Sequence, residues 1–440
     1  MRVRDGFSLC AVGDCIISRP ISQYAETEPG FAALLDLFAA STLVHGNMET
    51  TLIDPGTDPG APHSWQGDWP LVCDPAAAAD LAAMGFGLMS RANNHTLDWG
   101  AEGMRQTTRL MDAAGLAHAG CGETLGLARR ARFRETPLGR VALVSCVSTY
   151  RDFTDALDQH DASPGRPGVN PLPVKKRVCV PGPVHEAIAG VRDALAEHGL
   201  TDLLKDFEAA EGDQAFYRYE VDDAHQAAIL RQVRQGAQLA DFTVVTLHTH
   251  ESLTDHDTAK PELPAAFVAD FGRAAIDAGA DLVAVTGIHH LGPIVVHRGR
   301  PILTGLGDFV WSDIQTPVPG ELYQQNREGL GQRFEHPERA TDVDLALLLN
   351  HPWFSHEEPF LTVVARLEAG SAGVSAMTLY PVDLGYGEPL TQTGIPRIAS
   401  PDTARRIFER LEAISAPYGT RIASEDDPAL GTLIGRVDLA

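Results

Sequence analysis

The sequence predicts an α/β protein built of layered sheets and helices. Short apolar runs alternate with helical patterns along most of the chain. One run, RVALVSCVS at 140–148, is apolar enough throughout to predict a central strand. Polar clusters repeatedly follow the ends of the apolar runs, which is where loops converge to form sites in α/β layers.

Taken in order, FSLCAVGD (7–14) predicts a buried strand ending in a Gly-Asp turn, and 31–40 a helix. STLVHGNMET predicts a second strand with a polar end. Residues 74–84 predict a helix with Asp74 as N-cap and Pro75 at its first position. FGLMS then leads into RANNHTLDWG. A helix is expected at 101–114 with Gly115 as its C-cap, then a short strand in LAHAGCG before the central run. Residues 151–185, dense in Pro and Gly, predict an extended excursion. Helices at 184–198 and 222–238 return the chain to a strand, DFTVVTLHTH (241–250). A helix at 262–278 precedes ADLVAVTGIHH, and RPILTGLGDFVW predicts one further strand. Residues 315–355 carry few regular signals and read as a second site loop. Ser400-Pro401 opens a helix with Ala404, Ile407, Phe408, Leu411 and Ile414 on one face. The expected organisation is one domain over 1–440, with an insertion at about 151–240 and a C-terminal helical segment at about 395–420.

Composition narrows the function. The 440 residues are 44% hydrophobic and 21% charged, which excludes wholesale disorder. The net charge of −24 argues against binding nucleic acid or an anionic membrane surface. No stretch approaches the roughly 18–20 apolar residues of a membrane span. The N-terminus lacks the pattern of a secretory signal, so a cytoplasmic location is expected. Of six cysteines none forms a CxxC pair; Cys10 and Cys146 read as small buried hydrophobes, while Cys15, next to Asp14, leaves a chemical role open.

Five strand-end clusters carry chemistry: Gly13-Asp14, Asn47-Met48-Glu49, Asn93-Asn94-His95, His248-Thr249-His250-Glu251 and Gly287-Ile288-His289-His290. One such cluster would mean little. Five that mix carboxylate, amide and imidazole point to a divalent metal site. The donors suit Mn, Fe, Zn or related ions, without distinguishing these from Mg or Ca, and leave open one ion or two.

GDCIISR, GNMETTL, RANNHTLDWGAEG, LHTHES, GADLVAVTGIHH and GRPILTGLGDFVW resemble, in order, the motifs of the CapA family, named for poly-γ-glutamate capsule synthesis. The tail PDTARRIFERLEAISAPYGT resembles that family as well. The resemblance covers 7–150, 240–312 and 395–435. It implies a calcineurin-like metallophosphatase sandwich of two mixed β-sheets flanked by helices, with metal at the strand ends. By that likeness Asp14, Glu49, Asn94, His248 and His289 are metal ligands, and His95 is a general acid or charge stabiliser. Asp98 either braces His95 or caps a helix, and Asn93 supports the same loop.

The departures matter as much. Ile16 stands where metallophosphatases commonly carry a His, and Gly287 where the first His of an H-P-H motif is frequent. His290 is extra, and His250 replaces a usual Gly. Both are either shifted ligands or proton-transfer bases. These departures fit better a resemblance to the CapA-like peptide epimerases of lasso-peptide biosynthesis, which implies a peptide or small-molecule substrate and Cα epimerisation of a ribosomal, lasso-type precursor peptide, with His95, His250 and His290 as acid–base residues and Cys15 a weaker candidate. The alternatives are phosphoester hydrolysis or a polyglutamate- or capsule-related role. Oligomeric state is not legible.

Overall fold

A computed structural model describes residues 2–58, 70–254, 263–312, 320–349 and 355–440. Two mixed sheets stack face to face and helices cover both outer faces. This is the α/β sandwich expected from the resemblance. The larger sheet has ten strands. Its main path runs Ile422–Asp427, Thr432–Val437, Gly373–Asp383, Leu361–Gly370, Phe7–Ile16, Leu43–Met48, Phe86–Ser90, Ala117–Ala119. The first half of Phe7–Ile16 pairs antiparallel with Leu361–Gly370, and its last residues pair parallel with Asp308–Trp311. The smaller sheet has six strands, with Gly139–Val147, Phe242–His248, Leu282–Thr286 and Arg300–Leu303 parallel at its centre.

Strand periodicity explains the layers. Leu9 and Ala11 point from the large sheet into a shared core with Val141, Leu143, Phe242 and Val244 of the small one. The Phe7 and Phe242 rings meet across this core with centroids 5.2 Å apart. The alternate residues Cys10 and Val12 pack outward against Phe31, Leu34 and Phe38 of the helix Pro29–Ala39. Val144, Cys146, Val245 and Leu247 pack against the helices Asp223–Leu239 and Ala266–Asp277. The central run at 140–148 is therefore covered on both faces, as its unbroken hydrophobicity requires.

Several local expectations need correction. Gly13-Asp14 is not a turn: the strand continues to Ile16, with a register shift between Asp14 and Cys15. Asp74 does not cap a helix; it holds a turn through the Ala76 amide at 2.8 Å, and the helix begins at Ala77. RPILTGLGDFVW is two strands in different sheets, Arg300–Leu303 and Asp308–Trp311, because the chain crosses the sandwich between them. The excursion at 151–185 ends in a strand, Val174–Pro181, of a separate three-stranded sheet. Within 315–355, Gly320–Gln325, Arg327–Arg333 and Asp342–Leu349 are helical. Residues 315–319 and 350–354 of that stretch, and residue 262 of the 262–278 helix, lie outside the described residues. The hairpin Leu361–Gly370/Gly373–Asp383 carried no signal that was recognised in the sequence.

Candidate metal centre

The carboxyl ends of parallel strands from both sheets meet at one place. Asp14 sits opposite Asn47 on one side and Asp308 on the other, and Asn47 opposite Ser90. From the facing sheet, His248 lies level with Val147 and Thr286. Gly13 makes this approach feasible: a Cβ there would lie 1.8 Å from the Gly307 carbonyl oxygen. Asp14 N donates to that same oxygen at 3.0 Å.

Asn47 is the hub of the floor. Its Nδ2 donates to Asp14 Oδ1 at 2.7 Å, and its Oδ1 accepts from Ser90 Oγ at 2.9 Å and Asn93 Nδ2 at 3.2 Å. Asn93 also donates to Met48 O at 2.8 Å and accepts from the His95 amide at 3.1 Å, tying the ANNH loop to the second strand. Gly287, at φ +108, donates its amide to the other Asp14 oxygen at 2.8 Å. His248 Nδ1 lies 3.0 Å from Thr286 Oγ1, and its Nε2 2.9 Å from Asn94 Oδ1 and 3.2 Å from His250 Nε2.

Among the described residues, three sets of donors each fall within 4.8 Å of one another: Asp14/Glu49/His248, Asp14/His289/Asp308, and Glu49/His250/His289. They overlap through Asp14, Glu49 and His289, a grouping compatible with one ion or two. Glu49 is fully buried; among the described residues its oxygens accept no hydrogen bond, and His248 Nε2 lies 3.4 Å from Oε1, while Asp308 Oδ2 is likewise buried without a hydrogen bond. Burying several carboxylate oxygens together without hydrogen-bond donors is costly, and a divalent cation relieves that cost. The hard oxygen and imidazole donors therefore fit the metal that the fold implies.

The electrostatics are those of crowded acids. Burial, and then the neighbouring Asp14 and Asp308 charges, push Glu49 well above the carboxylate range. Burial and Asp14 likewise raise Asp308 to about 6, against the attraction of His289. For Asp14, burial is outweighed by the hydrogen bond and charge of His248, helped by His289 and Asn47, so its carboxyl lies below the usual range. Burial lowers His248 despite Asp14, and burial with the neighbouring imidazoles drives His250 well down.

The remaining residues divide by position. His95 Nδ1 lies 2.6 Å from Asp98 Oδ2, and Asp98 Oδ1 accepts from buried Arg151 at 2.9 Å. Asp98 Oδ2 also accepts from Leu71 N at 2.6 Å. Asn94, His95, His250 and His289 are partly exposed, whereas Asp14, Glu49, Asn93, Asp98, His248 and Asp308 are buried. His289 Nδ1 lies 2.9 Å from Asp308 Oδ1, and its backbone holds a left-handed φ of +53, a strained conformation outside glycine. His290 is placed apart from the donor groups: fully buried, with Nδ1 2.9 Å from Ile288 O. Cys15 packs in the apolar layer with Met48 and Phe86, its thiol pushed well up by burial and three nearby carboxylates. Sequence reasoning passed over Asp308 and Arg151. Asp308 lay in the quoted LGDFVW segment, after the same kind of Gly that precedes Asp14; Arg151 had no motif to mark it.

Among known proteins, the model of the family described as bacterial capsule synthesis protein PGA_cap matches residues 8–313. An uncharacterized protein of Sinorhizobium fredii (strain NBRC 101917 / NGR234) is 36% identical, over 96% of this chain and 92% of its own. The PGA biosynthesis protein CapA of Bacillus subtilis (strain 168) is 23% identical, over 78% of this chain and 72% of its own. A probable polyglutamine synthesis accessory protein of Mycobacterium tuberculosis is 27% identical, over 52% of this chain and 46% of its own.

Proposed function

The chain belongs to the bacterial capsule synthesis protein PGA_cap family, the CapA family, and from that premise we propose that it is a divalent-metal-dependent enzyme inverting a Cα centre in a peptide, of the ribosomal lasso-type precursor class. The observation that carries this reading is the layering of the site. Carboxylates form its buried floor, while imidazoles from both sheets, His95 and His250, stand partly exposed at its mouth. A bound divalent ion supplies Lewis acidity toward a carbonyl oxygen of the substrate.

Inversion requires a proton to leave Cα on one face and another to arrive on the opposite face. His250, partly exposed at the mouth of the site, takes the first proton at a ring nitrogen. The Cα–H electron pair then passes onto the carbonyl oxygen. His95, whose Nδ1 is held by Asp98, presents Nε2 to deliver a proton to the other face, and the electron pair returns to Cα. The buried Arg151–Asp98 pair fixes that ring's orientation. The His95–Asp98 pair beside the acidic floor also favours a second reading, phosphoester hydrolysis, in which His95 protonates the leaving oxygen.

Incubation with a divalent ion in D₂O, with candidate peptides and a generic phosphoester, separates the two. Deuterium at Cα without cleavage is the expected result. Phosphate release with no Cα exchange overturns epimerisation in favour of hydrolysis.

A further inference from the structure

A cleft of about 440 Å³ opens beside the helix Gly100–Ala113, at the edge strand Ala117–Ala119 of the large sheet. None of its lining residues belongs to the carboxylate–imidazole centre. Its walls carry Arg105, Arg109, Arg130, Arg132 and His118 beside the two carboxylates Asp112 and Glu123, with exposed Leu127 and buried Met104 as its apolar lining. Such cationic density is unexpected in a chain of net charge −24.

The cations divide into two kinds. Arg105 is matched by Glu123 and Glu102, and Arg109 by Glu102. Among the described residues, the guanidinium groups of Arg130 and Arg132 have neither a carboxylate nor a hydrogen-bond partner. Behind the wall, Arg91 is fully buried and donates only to neutral groups, the Thr108 hydroxyl at 2.7 Å and the Met104 carbonyl at 3.1 Å. No carboxylate pairs with it among the described residues. Burying a guanidinium without a counter-charge is costly, and the structure carries that cost beside this cleft.

His118 adds a second, independent sign. It is 6% exposed, and its Nε2 makes no hydrogen bond, although Asp112 Oδ1 lies 3.3 Å away. Burial, followed by the Arg91 and Arg132 charges, pushes its pKa down to about 3, so the ring is neutral. The Arg91 and Arg132 charges that add to the burial are part of the field an anion would meet.

We propose that this cleft is a binding site for a small organic anion carrying a phosphoryl or carboxylate group, held by the guanidinium groups of Arg130 and Arg132 in the field of Arg91, with its apolar part against Leu127 and Met104. Guanidinium forks match the planar and tetrahedral oxygens of these groups bidentately. The volume suits a metabolite-sized ligand rather than a polymer.

Calorimetric titration of the full chain with inorganic phosphate, and separately with L-glutamate, tests the site and distinguishes the two sources of negative charge. Saturable binding of either probe is expected, weakened about tenfold or more in Arg130→Ala/Arg132→Ala. Arg130→Lys/Arg132→Lys keeps the charge and loses the fork, so intermediate affinity is expected, with an unchanged thermal midpoint as the folding control. Asp14→Asn, at the other centre, is expected to leave the binding in place. Equal affinity in the folded double variants, loss of binding only in Asp14→Asn, or no saturable binding of either probe overturns the proposal.

Discussion

Glu49 shows how a single residue can be placed for a partner rather than for stability. Among the described residues its fully buried carboxylate accepts no hydrogen bond. Glu49→Gln removes the acid while keeping its shape. The expected outcome is metal affinity reduced by at least about tenfold, with the metal-free variant more resistant to urea than metal-free wild type, by about 1–3 kcal/mol. Unchanged metal content by elemental analysis would contradict its role as a ligand. His45 behaves differently, because among the described residues it stands outside the three donor sets. Buried, with Nδ1 3.1 Å from Leu88 O, it has its pKa pushed down to about 4. Above pH 6.5 the ring is neutral whether the chain is folded or not, and contributes no pH dependence. Below 6.5 the unfolded chain gains a proton that the native state refuses, so stability falls as pH drops toward 4. The full effect is about 3 kcal/mol. Urea unfolding from pH 7 to 4.5 is expected to show a shallower loss in His45→Gln than in wild type; parallel curves would refute this.

At the scale of elements, the strand ends do the positioning. Gly287 closes the Leu282–Thr286 strand at φ +108, and a Cβ there would lie 2.5 Å from the Thr249 carbonyl oxygen. Its amide is the one that meets Asp14 Oδ2. Gly287→Ala is therefore expected to cost about 1–3 kcal/mol in backbone strain and to weaken metal binding with it, measured by unfolding and metal titration on one preparation. A variant as stable as wild type would show that the loop relaxes freely. The same strand ends were legible in the sequence as apolar runs followed by polar clusters, because burial on both faces leaves a run of apolar letters. The helix Pro401–Ser415 was equally legible: Ala404, Ile407, Phe408 and Leu411 are its buried stripe, and Ser400 Oγ accepts from Thr403 N at 3.2 Å. The helices within 315–355 were hidden for a physical reason. Asp342–Leu349, for instance, follows DVDLALLL, a run of leucines with no polar stripe to reveal a helical period.

At the scale of the molecule, the sandwich makes one site from two half-sites. Asp14, Glu49 and Asn93 come from the large sheet and its loops, His248 and His250 from the small one, and the shared core of Leu9, Leu143 and Val244 fixes their spacing. Metal binding should therefore stabilise the sheet pair as a unit. With a divalent ion at about 100 times its dissociation constant, stabilisation of about 2.7 kcal/mol is expected. Chelation should return the melting temperature to the metal-free value; a midpoint indifferent to metal and chelator would argue against the centre. Among the described residues no helix is long and apolar enough to cross a membrane.

The sequence by itself determined the layer class, most strand ends and the residue types of the centre, because burial periodicity and strand-end chemistry are local properties of the chain. Only the tertiary structure decided which of those residues meet. Asp308 joins Asp14 because the chain crosses from the small sheet to the large one between Leu303 and Asp308, and His290 is buried while its neighbour His289 takes a left-handed backbone conformation beside the donors. The arginine cleft gathers Arg91, Arg105 and Arg132 from separate elements in the same way. Such meetings depend on register and on the stacking of sheets, and no local pattern of letters encodes them.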